Sequence, residues 1–392
     1  MINAKETKES RGRIVFIGSQ SFADFYGVGG MQSYIRRLGF ELARRDYKVD
    51  YLVYGTQQEQ EIIPVHGIRV KHLCSLADAL TEFSSGNYSD IVRVWMTRRE
   101  RLKFARYILS TRVLSSKGTS WKIHSIWFIV PDLLCKRLLT MLEGLIISRR
   151  GRLFCVSHRQ WRMIRKWTHK ACLLLPPVPK EFFLQPGEKS FRWPLKVTFL
   201  GVLHPDKGIE EVIELFTRLR GNPRFDCSIY AMFNPKVPAQ VRLHELLLGQ
   251  RGLKYVSMEQ RKWSVELEKW VQRVLAETDI FVHPLKSLQN TVDTPLLLLE
   301  AMASLCAVLT TPIGSIPEIY GKESPFLIPH SNFVERAAAF LKGLSKEDLL
   351  KERMRIYRRN KELGFSQAEV TDRFESACCQ SMFKNRVCSK AY

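Results

Sequence analysis

The chain of 392 residues has no long hydrophobic run and no cysteine framework. No window offers about 18 uncharged apolar residues, the length that suggests a membrane-spanning helix, and the best candidate, 295–311, contains Glu300. The nine cysteines include no C-x2-C pair, and their odd number is typical of a reduced intracellular protein. The first residues, MINAKETKESRGR, lack the apolar stretch of a signal peptide. We therefore expect a cytoplasmic protein without a membrane-spanning segment and without a metal site.

Acidic residues are scarce relative to basic ones. The sequence has 39 Asp and Glu against 61 Lys and Arg, a formal charge of +22. Residues 1–190 hold 32 basic and 16 acidic side chains, a net +16, which leaves only +6 for the rest of the chain. This imbalance predicts an anionic partner for the first half: a membrane surface, a nucleic acid or a phosphorylated acceptor. No nucleic-acid-binding module is recognisable, so we expect no nucleic-acid partner.

Two segments of the first half combine basic and aromatic residues. Residues 93–112 carry seven basic side chains and one acidic, and residues 149–170 carry eight basic side chains and no acidic one. Such composition on a helix suits the headgroup region of a membrane. A core-facing helix with a solvated basic face explains either segment equally well when it is taken alone. The concentration of charge favours peripheral attachment to the inner face of an anionic membrane.

A strand, a loop and an amphipathic helix follow one another twice in the sequence. Residues 13–18, RIVFIG, precede the loop GVGG at 27–30 and a run of apolar residues at helical spacing. Residues 196–201, KVTFLG, precede the loop VLHPDKG and a second such helix. Two openings of this kind predict an α/β protein with two Rossmann-like, doubly wound domains facing a cleft.

Apolar segments that alternate with helical stretches predict further strands in mostly parallel sheets. They lie at 49–54, 91–96, 122–128, 153–156, 171–175, 226–230, 280–283 and 307–310. Prolines crowd the stretch that ends with Gly187, the best candidate for a linker. We therefore expect domains at 1–187 and 188–365, followed by a helical tail at 366–392 that packs back on the first domain.

Three loops offer groups that could contact a ligand. Gly29 and Gly30 would leave the N–H groups of a helix start open to an anion, although a tight strand-to-helix turn explains them as well. Lys207 lies between a strand and a helix start, where a lysine can reach a phosphate, but an isolated lysine is usually a solvated surface residue. Gly314 belongs to a loop of small residues that suits either a phosphate nest or a plain turn.

The segment 279–304 is the most informative part of the sequence. Asp293 or Thr294 is expected to cap a helix that has Pro295 at its first position. Glu300 lies inside the otherwise apolar run LLLLEAMA, where an unpaired carboxylate would cost several kcal/mol. Glu300 therefore needs a partner, and residue chemistry alone leaves a ligand hydroxyl and a structural basic side chain as equal alternatives.

In this order, the fragments resemble the glycosyltransferase family 4 group of GT-B enzymes. The resemblance rests on GVGGMQSYIRRLGFELARR at 27–45, FCVSHRQ at 154–160, LLLPPVPKEFF at 173–183, FLGVLHPDKGIEEVIELF at 199–216, TDIFVHP at 278–284, and TPLLLLEAMA through GSIPEI at 294–319. Each fragment is only moderately specific, but the ordered set spans nearly the whole chain. The resemblance implies that the N-terminal domain binds an acceptor and the C-terminal domain a nucleotide-sugar donor.

The resemblance also implies roles for individual residues. Gly29 and Gly30 would lie near the donor phosphates, Lys207 at the diphosphate, and Glu300 at the nucleotide ribose. His124 falls roughly where the family often has a histidine near the transferred sugar, so that His124, Lys207 and Glu300 are the catalytic candidates. The remaining donor-binding candidates are Asp293, Leu296, Leu297 and Gly314.

Two departures from the family pattern concern the donor subsite. Val202 replaces an arginine that commonly follows the glycine of the second opening, and Val292 replaces the first glutamate of the E-x7-E motif, with Asp293 adjacent to it.

The predicted function is transfer of a sugar from a nucleotide-sugar donor, a substrate rather than a cofactor, to a glycan or lipid-linked acceptor in cell-surface glycan or polysaccharide synthesis. The resemblance implies a retaining, metal-independent reaction. The alternative is a catalytically impaired GT-B scaffold that binds a sugar or a nucleotide. A dehydrogenase fits poorly, because the dinucleotide fingerprint is absent.

Overall fold

The structure of the chain, a computed structural model, describes residues 10–86, 88–94, 96–110, 122–127, 151–259, 262–288 and 292–387. It divides into two compact units. Unit 1 comprises Met1–Pro177 and Gln367–Tyr392, and unit 2 comprises Val178–Ser366. Among the described helices, none combines the length and hydrophobicity needed to cross a membrane.

Unit 1 is built on an eight-stranded sheet. Its strands are β1 (Gly12–Ser19), β2 (Tyr47–Tyr54), β3 (Gln60–Val65), β4 (Ile68–Leu73), β5 (Asp90–Arg93), β6 (Lys122–Trp127), β7 (Leu153–Cys155) and β8 (Ala171–Leu173). They lie in the order β3-β4-β2-β1-β5-β6-β7-β8, and all neighbours are parallel except β3 and β4. The buried run of β1 is typical of a strand that is covered on both faces.

Helices connect the strands of unit 1. Those in the described residues before the C-terminal segment are α1 (Gln20–Ala23), α2 (Gly30–Arg44), α3 (Leu76–Ser85), α4 (Arg98–Ser110) and α5 (His158–Ile164). Helix α2 buries Tyr34, Ile35, Leu38 and Leu42 completely, as their helical spacing predicts.

The C-terminal helix α13 (Gln367–Val387) also belongs to unit 1 and contacts α2. Arg45, directly after α2, forms ion pairs with Asp372 at 2.6 Å and Glu375 at 2.5 Å. Phe374 packs on Phe154 of β7 with ring centroids 5.1 Å apart.

Unit 2 is built on a five-stranded parallel sheet. Its strands are β9 (Leu195–Val202), β10 (Phe225–Phe233), β11 (Lys254–Glu259), β12 (Ile280–His283) and β13 (Ala307–Thr310), in the order β11-β10-β9-β12-β13. Its helices are α6 (Ile209–Leu219), α7 (Pro238–Leu248), α8 (Val265–Glu277), α9 (Leu296–Ala303), α10 (Ile316–Tyr320), α11 (Phe333–Gly343) and α12 (Lys346–Leu363). The prediction of an α/β protein with two Rossmann-like domains is confirmed.

Candidate functional site

The sheet of unit 2 has a topological switch point between β9 and β12. From β9 the chain adds β10 and β11 on one side, and it then returns to place β12 and β13 on the other side. In open α/β sheets, ligands bind at the carboxyl ends of the strands at such a point. The loop after β9 carries Lys207, and the loop after β12 carries Asp293.

The loops after β9 and β12 contact each other closely. The backbone N–H of Lys286 donates to the carbonyl of Asp206 at 2.9 Å. Gly208 has a φ of +70°, and a Cβ at this position would lie 2.1 Å from the carbonyl oxygen of Pro284. Only glycine combines this left-handed conformation with so close an approach. The sequence therefore fixes the contact between the two loops at Gly208.

The loop after β13 joins the same edge. The hydroxyl of Ser315 donates to the carbonyl of Asp293 and lies 3.3 Å from the hydroxyl of Thr294. Gly314 has a φ of +60°, and a Cβ there would lie 3.0 Å from Oδ1 of Asp293. The structure thus brings the predicted residues Lys207, Asp293 and Gly314 to one edge of one sheet.

Lys207 supplies the positive charge of this edge. Its side chain is half-buried, and it forms no salt bridge with a carboxylate in the described part of the chain. Burial lowers the pKa of Lys207 to about 8, while nearby Asp206 acts in the opposite direction. An ammonium group that burial destabilises, at the carboxyl edge of a parallel sheet, is suited to binding an anion.

Helix α9 begins at this edge, one residue later than predicted. Leu296 is its first residue, and Pro295 occupies the N-cap without a side-chain cap. The expectation that Asp293 or Thr294 caps the helix is therefore wrong, because the N-cap position falls on Pro295, whose side chain has no hydrogen-bonding group. Within the described residues, no side chain caps the first N–H groups of α9, which leaves them suited to an anion.

The remaining donor-site candidates lie on α9. Glu300, one turn into the helix, is only 3% exposed. Leu296 is buried, and Leu297 is half-buried with Cδ1 3.8 Å from the position of a Cβ on Gly201. Val202 and Val292, the two departures from the family pattern, are both half-buried.

His283 was not predicted as a site residue, although it ends a strand at the same edge. It is 3% exposed, and neither ring nitrogen has a hydrogen-bond partner among the described residues. Burial, and then the charge of Lys207, lower the pKa of His283 to about 3, which makes the imidazole neutral. The sequence feature that could have identified His283 is its position as a polar residue at the end of the otherwise apolar strand Ile280–His283.

The predicted glycines of unit 1 lie at the start of α2. Gly29 is the N-cap of this helix, with no side-chain cap, and Gly30 is its exposed first residue. Arg36, which is 1% exposed, donates to the carbonyls of Phe25 and Gly27 at 2.9 Å each. Arg36 thus holds the preceding loop in place, a role that the sequence did not indicate.

Arg93 is a further residue that the sequence analysis did not single out. It is the last residue of β5, next to β1 at the switch point of unit 1, and is 4% exposed. Its Nε and Nη2 atoms donate to the hydroxyl of Ser125 at 3.1 and 2.7 Å. Burial, and then nearby Arg101, lower the pKa of Arg93 to about 9. The positive charge of Arg101 therefore acts on Arg93 at the carboxyl edge of this sheet.

His124 lies in the middle of β6, inside unit 1, with no exposed surface. Its Nδ1 accepts a hydrogen bond from the backbone N–H of Arg152 at 3.2 Å, and its Nε2 lies 3.0 Å from Asp90 Oδ1. The ring also contacts Phe154 and Phe374. These are the contacts of a structural histidine, and nothing in them supports the predicted catalytic role.

Asp90, His124 and Cys378 form a group of three metal-ligand types whose ligand atoms lie within 4.8 Å of one another. Because Nδ1 of His124 accepts a backbone N–H, Nε2 carries the proton of the neutral ring. Nε2 then donates to the carboxylate of Asp90 rather than ligating an ion. We therefore interpret the group as a buried hydrogen-bond network.

The two Rossmann-like units give the chain the fold of GT-B proteins. Residues 194–346 match the family model described as Glycosyl transferases group 1. The predicted family resemblance is thereby confirmed for this domain of unit 2. No curated protein matches the chain in sequence.

Solved glycosyltransferase structures share the fold over nearly the whole chain. Sucrose-phosphate synthase from Thermosynechococcus elongatus is 15% identical with a TM-score of 0.64, covering 97% of this chain and 100% of that one. Anabaena HepE, in complex with UDP and glucose, is 10% identical with a TM-score of 0.64, covering 94% and 100%. An α,α-trehalose-phosphate synthase from Burkholderia vietnamiensis is 12% identical with a TM-score of 0.62, covering 95% and 100%. At these identities the likeness shows the fold alone.

Proposed function

We propose that the protein transfers a sugar from a nucleotide-sugar donor to a hydroxyl group of an acceptor. The observation that carries the proposal is the carboxyl edge of unit 2, where Lys207 and the uncapped start of α9 lie at the switch point. Transfer requires stabilisation of the departing nucleotide diphosphate while the hydroxyl attacks the anomeric carbon. A fixed ammonium group and free helix N–H groups supply that stabilisation without a metal.

In this proposal, Lys207 and the N–H groups at Leu296 and Leu297 bind the diphosphate. Glu300 accepts hydrogen bonds from the ribose hydroxyls, and the loop at Gly314 lies beside the phosphates. Retention of the anomeric configuration and independence from metal are proposed from the family resemblance. They are tested by NMR assignment of the product anomer and by assay in the presence of a chelator.

Unit 1 binds the acceptor, which we propose to be a glycan or a lipid-linked saccharide with an anionic group. The net charge of +16 on residues 1–190 and the positive charges of Arg93 and Arg101 support an anionic acceptor. Synthesis of a cell-surface glycan or polysaccharide is the pathway class that fits such an acceptor.

The test is turnover of a panel of nucleotide sugars. Purified protein is incubated with UDP-, GDP- and ADP-linked hexoses, with and without saccharide phosphates as acceptors, and released nucleotide is measured. We expect release from one donor class, and the Lys207→Ala variant should reduce it. If a nucleotide sugar of the panel binds but none is hydrolysed or transferred, the alternative of a catalytically impaired binding scaffold is correct. The replacements Val202 and Val292 motivate that alternative.

We further propose that unit 1 attaches peripherally to the inner face of an anionic membrane through exposed basic side chains. Phe104 and Ile164 of the two basic segments are buried, and Tyr107, Trp161 and Trp167 pack against the core, so these apolar residues do not take part. Leu102, by contrast, is 52% exposed. The exposed basic residues are Arg99, Lys103, Arg106, Arg162, Arg165 and Lys166. Each contributes about 1 kcal/mol near an anionic leaflet. Trp95 and residues 111–112 and 149–150 of these segments lie outside the described residues.

Liposome flotation tests the attachment. We expect binding that needs anionic lipid, falls with added salt and is lost when these six residues are changed to glutamine. A control protein carries six glutamines at exposed basic positions of unit 2: Lys236, Lys262, Lys269, Lys322, Lys351 and Arg358. Equal flotation with neutral and anionic liposomes, or equal loss in the control, contradicts the proposal.

A further inference from the structure

Unit 2 has a polar pocket at the amino ends of its strands, opposite the carboxyl edge described above. On one face of the sheet, Lys196 is in register with Asp226, and Ser228 is in register with both Thr198 and Lys254. A face of a parallel sheet normally carries apolar residues that pack against a helix. The polar side chains of these three strands are therefore unusual and call for a physical explanation.

The pocket is a cavity of about 180 Å³ between this face and the last turns of α8. Trp270, Arg273 and Glu277 of α8 line it opposite the strands. Such a volume has room for about six water molecules. It is smaller than the roughly 300–1,000 Å³ of pockets that hold drug-sized ligands. The space thus suits one small ring.

The floor of the pocket presents hydroxyl groups without protein partners. Thr198 is 3% exposed and Ser228 is 5% exposed, and both line the cavity. Neither hydroxyl forms a hydrogen bond with another residue in the described part of unit 2. Because both residues line the cavity, their hydroxyls are available to a bound molecule that can both donate and accept hydrogen bonds.

The charges at the rim largely neutralise one another. Glu277 lies 2.8 Å from Lys196, and this contact lowers the pKa of the Glu277 carboxyl, with smaller contributions from Arg273 and Lys254. Asp226 adds a second carboxylate. Because these carboxylates largely neutralise the cationic groups, the pocket favours a neutral ligand over an anion.

An aromatic pair completes the pocket. Tyr230 and Trp270 meet edge to face, with ring centroids 5.9 Å apart. Aromatic side chains beside hydroxyl groups match the chemistry of a sugar ring, which has hydroxyls at its edge and C–H groups on its faces.

We propose that this pocket binds a single neutral sugar ring of a glycan, at a site distinct from the donor edge. The donor residues lie at the carboxyl ends of β9 and β12, whereas this pocket lies at the amino ends of β9, β10 and β11. The proposal does not depend on transfer activity.

The experiment follows the indole N–H signals of 15N-labelled protein. The signals of Trp270 and of Trp263, which does not line the pocket and donates to Glu268, are assigned with Trp270→Phe and Trp263→Phe variants. The probes are the methyl glycosides of glucose, galactose, mannose and N-acetylglucosamine. We expect at least one probe to shift the Trp270 signal saturably and to leave the Trp263 signal unchanged. Addition of UDP should not move the Trp270 signal.

A double variant, Thr198→Val with Ser228→Ala, removes the two hydroxyls while nearly preserving shape. It should weaken binding of the active probe by about tenfold or more and should not lower the melting temperature. The proposal is overturned if no glycoside shifts the Trp270 signal, or if the shift is equally strong in the double variant. In either case the cavity holds only solvent.

Discussion

The half-buried ammonium group of Lys207 leads to a quantitative prediction for its truncation to alanine. If the group donates to the donor diphosphate, its loss removes a charge-assisted hydrogen bond worth about 1.5–3 kcal/mol. The affinity for a nucleoside diphosphate should then fall roughly 10–150-fold. The melting temperature should not fall, because burial already destabilises the charged form of this side chain. Isothermal titration with UDP, GDP and ADP measures the affinity.

Lys286 provides the matched control for this truncation. It lies in the neighbouring loop, and its Nζ forms ion pairs with Glu210 and Glu211 at 2.9 Å. Lys286→Ala removes the same charge nearby but should change nucleotide affinity little. An equal loss of affinity in both variants would mean that the effect is only long-range electrostatics.

Because the pKa of Lys207 is about 8, the affinity for a nucleoside diphosphate should fall as the pH rises. An anionic ligand favours the ammonium form and raises the pKa of Lys207 on binding, so binding takes up a proton above about pH 8. Only about a tenth of the lysine is charged at pH 9, and affinity should therefore fall about tenfold between pH 7 and pH 9. Lys207→Arg should bind with little change over this range, because arginine stays charged. A flat profile for the unmodified protein would refute the reasoning.

Three further predictions concern the same edge. Glu300→Gln should weaken nucleotide binding roughly 10–150-fold without lowering the melting temperature, and a lower melting temperature with unchanged affinity would assign Glu300 a structural role. Gly208→Ala should destabilise unit 2 by more than Gly221→Ala. Alanine at either position would be strained by about 1–3 kcal/mol, because both glycines have a positive φ, but only alanine at position 208 would also clash with Pro284. Sugar transfer should survive EDTA, and a strict need for manganese or magnesium, measured by adding each ion back, would contradict the proposed diphosphate site.

The strands that the sequence predicted are those with continuous apolar runs or buried ends. The core strands β1, β9, β12 and β13 were found because burial on both faces requires such runs. The hairpin β3–β4 and the edge strand β11 were missed. Their side chains are largely exposed or alternate, and β3 even contains Pro64, so their composition does not differ from that of a loop.

The candidate site was only partly predictable, for a physical reason. Lys207, Asp293 and Gly314 follow buried strands, and the carboxyl ends of parallel strands meet at one edge, so their proximity follows from topology. His283 and Arg93 lie inside or at the ends of strands, where only tertiary packing decides whether a polar side chain has a partner. The cap of α9 was misplaced by one residue, because Pro295 adopts the extended N-cap conformation rather than the first helical position.

The central claim is that the carboxyl edge of unit 2 binds the diphosphate of a nucleotide sugar. A crystal structure with the nucleotide sugar that the turnover assay selects tests it most directly. We predict the diphosphate within hydrogen-bond distance of Lys207 Nζ and the first N–H groups of α9, with the ribose beside Glu300. A nucleotide bound elsewhere, with this edge empty, would contradict the account.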